Sequence, residues 1–415
     1  MNVSIGKDHN GNDFHIDTSK HINLEGMSGM GKSSMLENLF IDHVTQGYGG
    51  IFLDPHGESA DTIARHIPKS RMRDFIWIDP DATLVPPFNP LHFTDEKELE
   101  LGKESLFTTI KSLAGTAWGD ESARVILNGI DAVCEQFDHP TPVHLFRFLA
   151  DDDFREKLLD KTKNPLLKFF QKQYDKKLRD SEQMAKFSPP LNKVGKMLRP
   201  FIVPIIGQPQ SLDFLDIMNT SKIVVCRFSK GRLGEEIAQI LGSLLVSMVS
   251  IAALRRERQK DRPPFLVVAD EVANFVHGGR FATLLAESRK YGISLVCASQ
   301  GLHQLPFAKD VFSNCPTQIA FNVSGEDAQA IADSWRWRDM LHELTAENIT
   351  ALPRYAFYCR TFENDEPKVV RLTAHPPAAR RGDEANPTKL IKQSLMRYGT
   401  RRKDVEQKIL AFLNG

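Results

Sequence analysis

Gly26-Met27-Ser28-Gly29-Met30-Gly31-Lys32-Ser33 decides the fold, because it fits G-x-x-x-x-G-K-[ST] in the right surroundings. An apolar run, HINLE (21–25), leads in, and a helical pattern, SSMLENLFIDHVTQG (33–47), leads out. The glycines let the backbone turn tightly, so that successive N–H groups face one phosphate. The outgoing helix points its positive end at the same anion. Lys32 supplies a point charge for the β- and γ-phosphates, and the Ser33 hydroxyl can ligate Mg²⁺. Gly26, Met27, Ser28, Gly29, Met30, Gly31, Lys32, Ser33 and Ser34 are therefore the expected nucleotide-binding residues, with ATP and Mg²⁺ as ligands. A chance glycine-rich turn would not be expected to match this pattern between a strand and a helix.

A phosphate loop needs a second half-site that holds the metal and activates water. PPFLVVADEVANF (263–275) has the form of one: an apolar strand ending in Asp270-Glu271. At the strand's C-terminal end Asp270 would sit near Ser33 and serve Mg²⁺, directly or from just behind a direct ligand. Glu271 can take a proton from the attacking water. The next strand, SLVCASQ, ends in Gln300, whose amide can contact the γ-phosphate or the attacking water. Between them GRFATLLAESRKYG (279–292) reads as a helix with Arg289 near its end. That position suits an arginine finger for a neighbouring subunit, or simply a cation complementing the helix dipole. Asp54-Pro55-His56-Gly57-Glu58 follows another strand and fits either a metal-facing group or a capped turn. Phe88-Asn89-Pro90-Leu91 reads as a turn.

Strands are expected near 21–25, 51–54, 75–79, 223–228, 265–269, 294–298 and 317–322, rich in Ile and Val as in parallel strands covered on both faces. Runs 355–361 and 367–373 flank ENDEP and predict an antiparallel hairpin at the sheet edge. Between about 96 and 204 the strand signal gives way to helical patterns: 103–113, 123–136, 142–149, 154–159 and 166–183. The expected fold is α/β, a RecA-like nucleotide-binding domain with a mostly parallel central sheet built from 1–95 and 205–375. An all-helical insertion occupies 96–204, and a linker with a helical tail occupies 376–415.

The length of 415 residues allows two or three domains. Apolar residues make up 41% and charged residues 26%, which excludes a disordered, collagen-like or coiled-coil chain. Lys plus Arg and Asp plus Glu both number 53, so a polybasic mode of nucleic-acid binding is excluded while a local basic groove is not. From Arg155 to Arg199, 13 basic residues face 5 acidic ones, and Lys172, Lys176, Lys177 and Arg179 are the expected DNA contacts, against a merely solvated face. The five cysteines, without CxxC spacing, point to reduced thiols and a cytoplasmic chain. The 13 histidines show no metal spacing. The apolar run 240–254 is shorter than a bilayer span and reads as a buried helix, so any membrane role would need a partner as anchor.

GMSGMGKSS, FLDPHGE, FNPL, WGDESARVILNGI, IIGQPQSLDF, KIVVCRFSKGRLGEE, LVVADEVANF, ESRKYGISLVCASQGLHQLP and CPTQIAFNVSGEDA occur in this order. Together they resemble the type IV coupling protein ATPases of bacterial conjugation and secretion, within the HerA–FtsK group of DNA-pumping motors. The resemblance covers roughly residues 1–375. It implies a six-subunit ring, ATP between subunits and DNA in a central channel. It also implies Arg289 acting in trans, Gln300 on the γ-phosphate, and the SKG loop and DPHGE segment near subunit contacts. Coupling proteins usually begin with transmembrane helices, whereas this chain begins at the ATPase domain; a soluble branch or a protein anchor at the inner membrane is expected. The leading expectation is a hexameric ATP-driven DNA translocase with a relaxosome, secretion-channel or nuclease partner. Alternatives are a HerA-like processing or packaging motor working with a nuclease, and an ATP-gated receptor for protein substrates.

Overall fold

The structure, a computed structural model, describes residues 1–415 except 114–117, 174–179, 277–279, 306–307, 337–342, 365, 379–381 and 383; between 180 and 184 it describes the backbone alone. Its strands are β1 (Asn2–Lys7), β2 (Asp13–Asp17), β3 (Ile22–Glu25), β4 (Gly49–Asp54), β5 (Phe75–Ile78), β6 (Leu84–Val85), β7 (Ile223–Arg227), β8 (Phe265–Ala269), β9 (Ile293–Ser299), β10 (Thr317–Ala320), β11 (Ala356–Glu363), β12 (Glu366–Ala374) and β13 (Thr400–Arg401). Eleven of them form one sheet in the order β2-β1-β12-β11-β10-β3-β9-β8-β4-β7-β5. From β10 to β5 every pairing is parallel, as the Val/Ile-rich runs predict. This is the RecA-like P-loop NTPase arrangement.

The period-2 alternation of a strand assigns each residue to one of two cores. Ile51, Leu53, Ile76, Ile78, Val224, Cys226, Val267 and Ala269 face one side, while Phe52, Phe75, Trp77, Ile223, Val225, Leu266 and Val268 face the other. Helix Lys32–Thr45 covers the second side through Met35, Leu36, Leu39 and Phe40. Helix Glu235–Arg255 covers the first. It contains the apolar run 240–254. By length and composition the 24-residue segment Glu235–Arg258 could cross a membrane, yet 89% of its most apolar window is buried inside the fold.

Between β6 and β7 the chain is helical: Glu96–Leu113, Asp120–Gln136, Pro142–Ala150, Asp152–Lys161, Pro165–Gln173 and Asp180–Gly195 are its longer helices. Of the helical pattern read at 166–183, the residues up to Gln173 and those from Asp180 onward are helical, and 174–179 lie outside the described residues. Leu106, Ile110, Ile126, Ile130, Leu145 and Phe148 continue the hydrophobic cluster of the first sheet side without a break.

One expectation is corrected, and two features that were not foreseen appear. The hairpin β11–β12 does not end the sheet, because β1 pairs with β12 and β2 with β1. The β1–β2 hairpin escapes a hydrophobicity reading because β2, DFHID, buries only Ile16; its loop is signalled instead by Asn10-Gly11, with Gly11 at φ 83. The C-terminal tail packs on its own chain. Helix Pro387–Tyr398 lies against β5, where Trp77 N–H donates to Ser394 Oγ at 2.8 Å. It covers what would otherwise be an open sheet edge. β13 then pairs with β6, and Phe412 of helix Arg402–Asn414 packs on His144 and Phe154 of the helical segment.

Candidate functional site

The phosphate loop joins β3 to helix Lys32–Thr45 at the C-terminal edge of the parallel strands, where such folds bind ligands. Gly29 and Gly31 take φ of 81° and 115°, which a side chain would strain. The loop is tied on both flanks: Gly26 N–H donates to Ser299 O at 3.2 Å, Met27 N–H to Asn322 O at 2.8 Å, and Tyr355 N–H to Met30 O at 3.0 Å. Lys32 is buried, and its ammonium donates to the carbonyls of Gly26 and, at 3.1 Å, Met27. Burial lowers its pKa, and the nearby Asp270, Glu25 and Glu271 charges oppose that shift.

Asp270 ends β8 and is 4% exposed. Burial, followed by the nearby Asp54 charge, pushes its carboxyl up to about 6, while a hydrogen bond from Ser33 opposes the rise. Two acceptors, Ser33 Oγ and a carboxylate uncomfortable in its burial, are what a divalent cation at this point would relieve. Glu271, the next residue, adopts a left-handed backbone at φ 58, a strain on the order of 1–3 kcal/mol in a non-glycine residue. The turn swings its carboxylate out of the strand line. Gln300 Nε2 donates to Oε1 at 2.7 Å, His56 Nε2 reaches Oε2 at 2.9 Å, and Lys230 Nζ stands 3.6 Å away. The His56 hydrogen bond, helped by the Lys230 charge, draws Glu271 down to about 2, and the same bond raises His56. Glu271 is therefore a carboxylate at neutral pH, joined directly to Gln300.

The cleft has a volume of about 330 Å³ and unites Ser28, Lys32, Ser33, Asp270, Glu271 and Gln300 with His56 and Glu58. Asp54 is not part of the lining. Its Oδ1 and Oδ2 accept from His56 N–H and Ala60 N–H, both at 2.8 Å, so Asp54 caps the turn, while Glu58 of the same segment lines the cleft. Arg354 and Tyr355 complete the lining. Sequence reasoning missed them, together with His56 and Lys230 as partners of Glu271, because they come from loops with no spacing relation to the phosphate motif. The strained Tyr355, at φ 69, had no sequence signal at all.

Arg289 lies elsewhere. It precedes β9, whereas Gln300 follows it, and seven residues at ~3.3 Å each put these ends about 20 Å apart. It lines a second cavity of about 600 Å³ with His21, Lys290 and Arg360. Arg289 is exposed, and Arg360 stacks on Phe362 with its Nε buried and without a hydrogen-bond partner. Arg289 therefore cannot serve its own chain's phosphate loop. Of the expected DNA contacts, Lys172 is exposed, and Lys176, Lys177 and Arg179 lie outside the described residues. Other basic residues of the stretch 155–199 are engaged internally. Arg155 is buried over Phe187, Lys193 stacks on Trp118, and Lys196 and Arg199 pair with Glu236.

Residues 264–334, which carry Asp270, Glu271, Arg289 and Gln300, match the family described as TraM recognition site of TraD and TraG. The bacterial conjugative coupling protein TrwBΔN70 superposes with a TM-score of 0.67 at 16% identity, over 93% of this chain and 90% of that one. The resemblance to the type IV coupling protein ATPases holds. TrwB in complex with ADP and Mg²⁺ matches with a TM-score of 0.65 at 16% identity, over 88% of each chain. VirB4 of Thermoanaerobacter pseudethanolicus matches with a TM-score of 0.59 at 15% identity, over 91% of this chain and 98% of that one. No curated protein matches by sequence. The coupling-protein fold is thus shared at low sequence identity.

Proposed function

We propose that the chain is an ATP-driven DNA translocase of the coupling-protein type, working as a hexameric ring in conjugative or type IV secretion transfer. The observation that carries this reading is the single cleft holding Lys32, Ser33, Asp270, Glu271 and Gln300, together with an unmatched arginine pocket at the far end of the same sheet. ATP would lie with its phosphates along Ser28–Ser34. Ser33 and Asp270 fit Mg²⁺, which when bound would bridge and neutralise phosphate oxygens. TrwB, solved with ADP and Mg²⁺, supports the pairing.

In this reading Glu271 receives the proton of the attacking water, and Gln300 reports the state of that carboxylate through its hydrogen bond. Arg289 of one subunit would stabilise charge at the neighbour's γ-phosphate. The helical segment 96–204 would meet DNA through phosphate contacts, without sequence preference. Lys161, Lys163, Lys168 and Lys172 are among its exposed cations, beside the exposed Leu166 and Phe169. The segment 264–334 would take up a relaxosome-type partner protein, as the description of its family suggests.

The test is the ATPase rate measured with and without single- and double-stranded DNA, with particle size followed in parallel. Stimulation by DNA, rising with assembly, is expected. Hydrolysis indifferent to DNA in an assembled protein would favour a receptor for protein substrates instead.

A further inference from the structure

The cleft has a second floor beside its phosphate loop. Tyr355 is held there by three constraints. Its left-handed backbone, φ 69, is fixed by its N–H on Met30 O at 3.0 Å and by Ala374 N–H on its own carbonyl at 2.8 Å. Its ring lies so close to the loop that a β-carbon on Gly31 would meet Tyr355 Cδ1 at 2.7 Å. The guanidinium of Arg354 sits 4.7 Å from the centroid of that ring. Arg354 is exposed and has no ion-pair partner among the described residues. Strain of this kind in a bulky residue persists only where its surroundings over-determine it.

The phosphate half of the cleft already has its cation in Lys32, its backbone donors and its helix end. Arg354 offers something different, a flat delocalised face backed by an aromatic ring. Such a surface suits the π-face of a base better than the point charges of a phosphate. Apart from His56, which is engaged with Glu271, Tyr355 supplies the aromatic ring that lines the cleft among the described residues. We propose that the Arg354–Tyr355 stack is the nucleobase platform of this site, seated directly on the phosphate loop. This rests on the nucleotide-binding reading of the loop. It adds that base and phosphate are sensed through one hydrogen-bonded contact, Tyr355 N–H on Met30 O beside Gly31, so that a base on the stack steadies the loop that grips its phosphates.

The experiment is calorimetric titration of the full chain with ATP and, separately, with inorganic tripolyphosphate, both with Mg²⁺. The wild type should bind both, and ATP more tightly. R354A should weaken ATP about 10-fold or more, the scale of one missing base stack, and leave tripolyphosphate within about twofold. R354K should not restore ATP binding, because an ammonium lacks the flat face. Equal loss of both ligands in R354A would make Arg354 a phosphate cation and overturn the platform, as would no loss of either. Failure of the underlying reading looks different: the wild type would then bind neither ligand. K32A, in contrast, should weaken both ligands while Arg354 is intact. Matching thermal melts of wild type and R354A show that the comparison is between folded proteins.

Discussion

The two ends of the parallel sheet differ in a way that neither explains alone. At the C-terminal ends of β3, β8 and β9 the chain gathers a phosphate loop, two acidic residues and a glutamine, with their hydrogen bonds closed on one another. At the N-terminal ends of the same strands it gathers Arg289 and Arg360 in a cavity holding a single carboxylate residue, Glu287, which pairs with Lys290. One end has the groups that hold phosphate and activate water. The other has cations in search of an anion. With about 20 Å of strand between them, no bending of side chains unites the two in one chain. A site made from both needs a second copy.

The largest effect that can break this comparison is at the first end. Lys32→Ala should bring ATP hydrolysis to background and weaken nucleotide binding, read by steady-state turnover and titration. Arg289→Ala should bind ATP as the wild type does and yet lose about 10³–10⁵ in rate, the scale of an arginine finger. Mixed together, the two inactive proteins should regain hydrolysis at interfaces that set an intact pocket against an intact arginine. Hydrolysis by a monomer at full rate, independent of protein concentration and indifferent to Arg289→Ala, would remove the shared site.

Next in size is Glu271→Gln, expected to keep ATP binding and lower turnover by roughly 10²–10⁴, since an amide accepts no proton. The substitution also takes a carboxylate from His56 and Lys230. A second variant, His56→Gln, separates these roles: it should leave most of the turnover, because His56 orients the carboxylate without replacing it. Equal losses in both would shift the base away from Glu271 alone.

How much of this was legible in the sequence follows from where each residue gets its partners. The phosphate loop, Asp270, Glu271 and Gln300 are read from single strand–loop segments, because their chemistry is local to one strand end. The seven parallel strands are read for the same reason: Ile and Val covered on both faces leave a mark in any short run. His56, Lys230, Arg354 and Tyr355 reach the cleft only because β4, β7 and β11 lie beside it, and strand order is not written in spacing. The β6–β13 pairing is two residues long and lies beyond any periodicity. The tail's packing was not legible because Ser394 and Phe412 meet residues far earlier in the chain, at Trp77 and His144.

A smaller effect concerns the insertion, whose basic stretch the structure divides. Arg155, Lys193, Lys196 and Arg199 have partners inside the chain, while Lys161, Lys163, Lys168 and Lys172 are exposed. Reversing Lys163, Lys168 and Lys172 to Glu should weaken binding to all DNA sequences alike. The slope of log affinity against log salt should shrink by about 0.9 for each phosphate that the variant no longer neutralises. Lys193→Ala, in contrast, should change thermal stability more than DNA affinity. An unchanged salt slope in the triple variant would leave these lysines a solvated face.

The finest distinction between the two ends is carried by one histidine at each. His21, beside Arg289, is 1% exposed; burial first, and then the Arg289 charge, lower its pKa to about 4. His56 is raised, by its hydrogen bond to Glu271 first. Titrated by NMR without nucleotide, the two should move apart from the ordinary value of about 6.5 in opposite directions. Arg289→Ala should let His21 rise but not past about 6.5, because burial is the larger cause, and should leave His56 alone. Glu271→Gln should lower His56 and leave His21 alone. The sign for stability follows. A histidine buried neutral contributes fully above about pH 6.5, and its contribution is lost as pH falls from there toward about 4, by about 3 kcal/mol at the lower limit for His21. Denaturant unfolding at about pH 7 and about pH 5 should therefore show a smaller acid-side loss in Arg289→Ala than in wild type, because that variant narrows the gap between folded and unfolded pKa. If His56 followed Arg289→Ala as closely as His21 does, the two ends would share one electrostatic environment, and their separation within the chain would have to be given up.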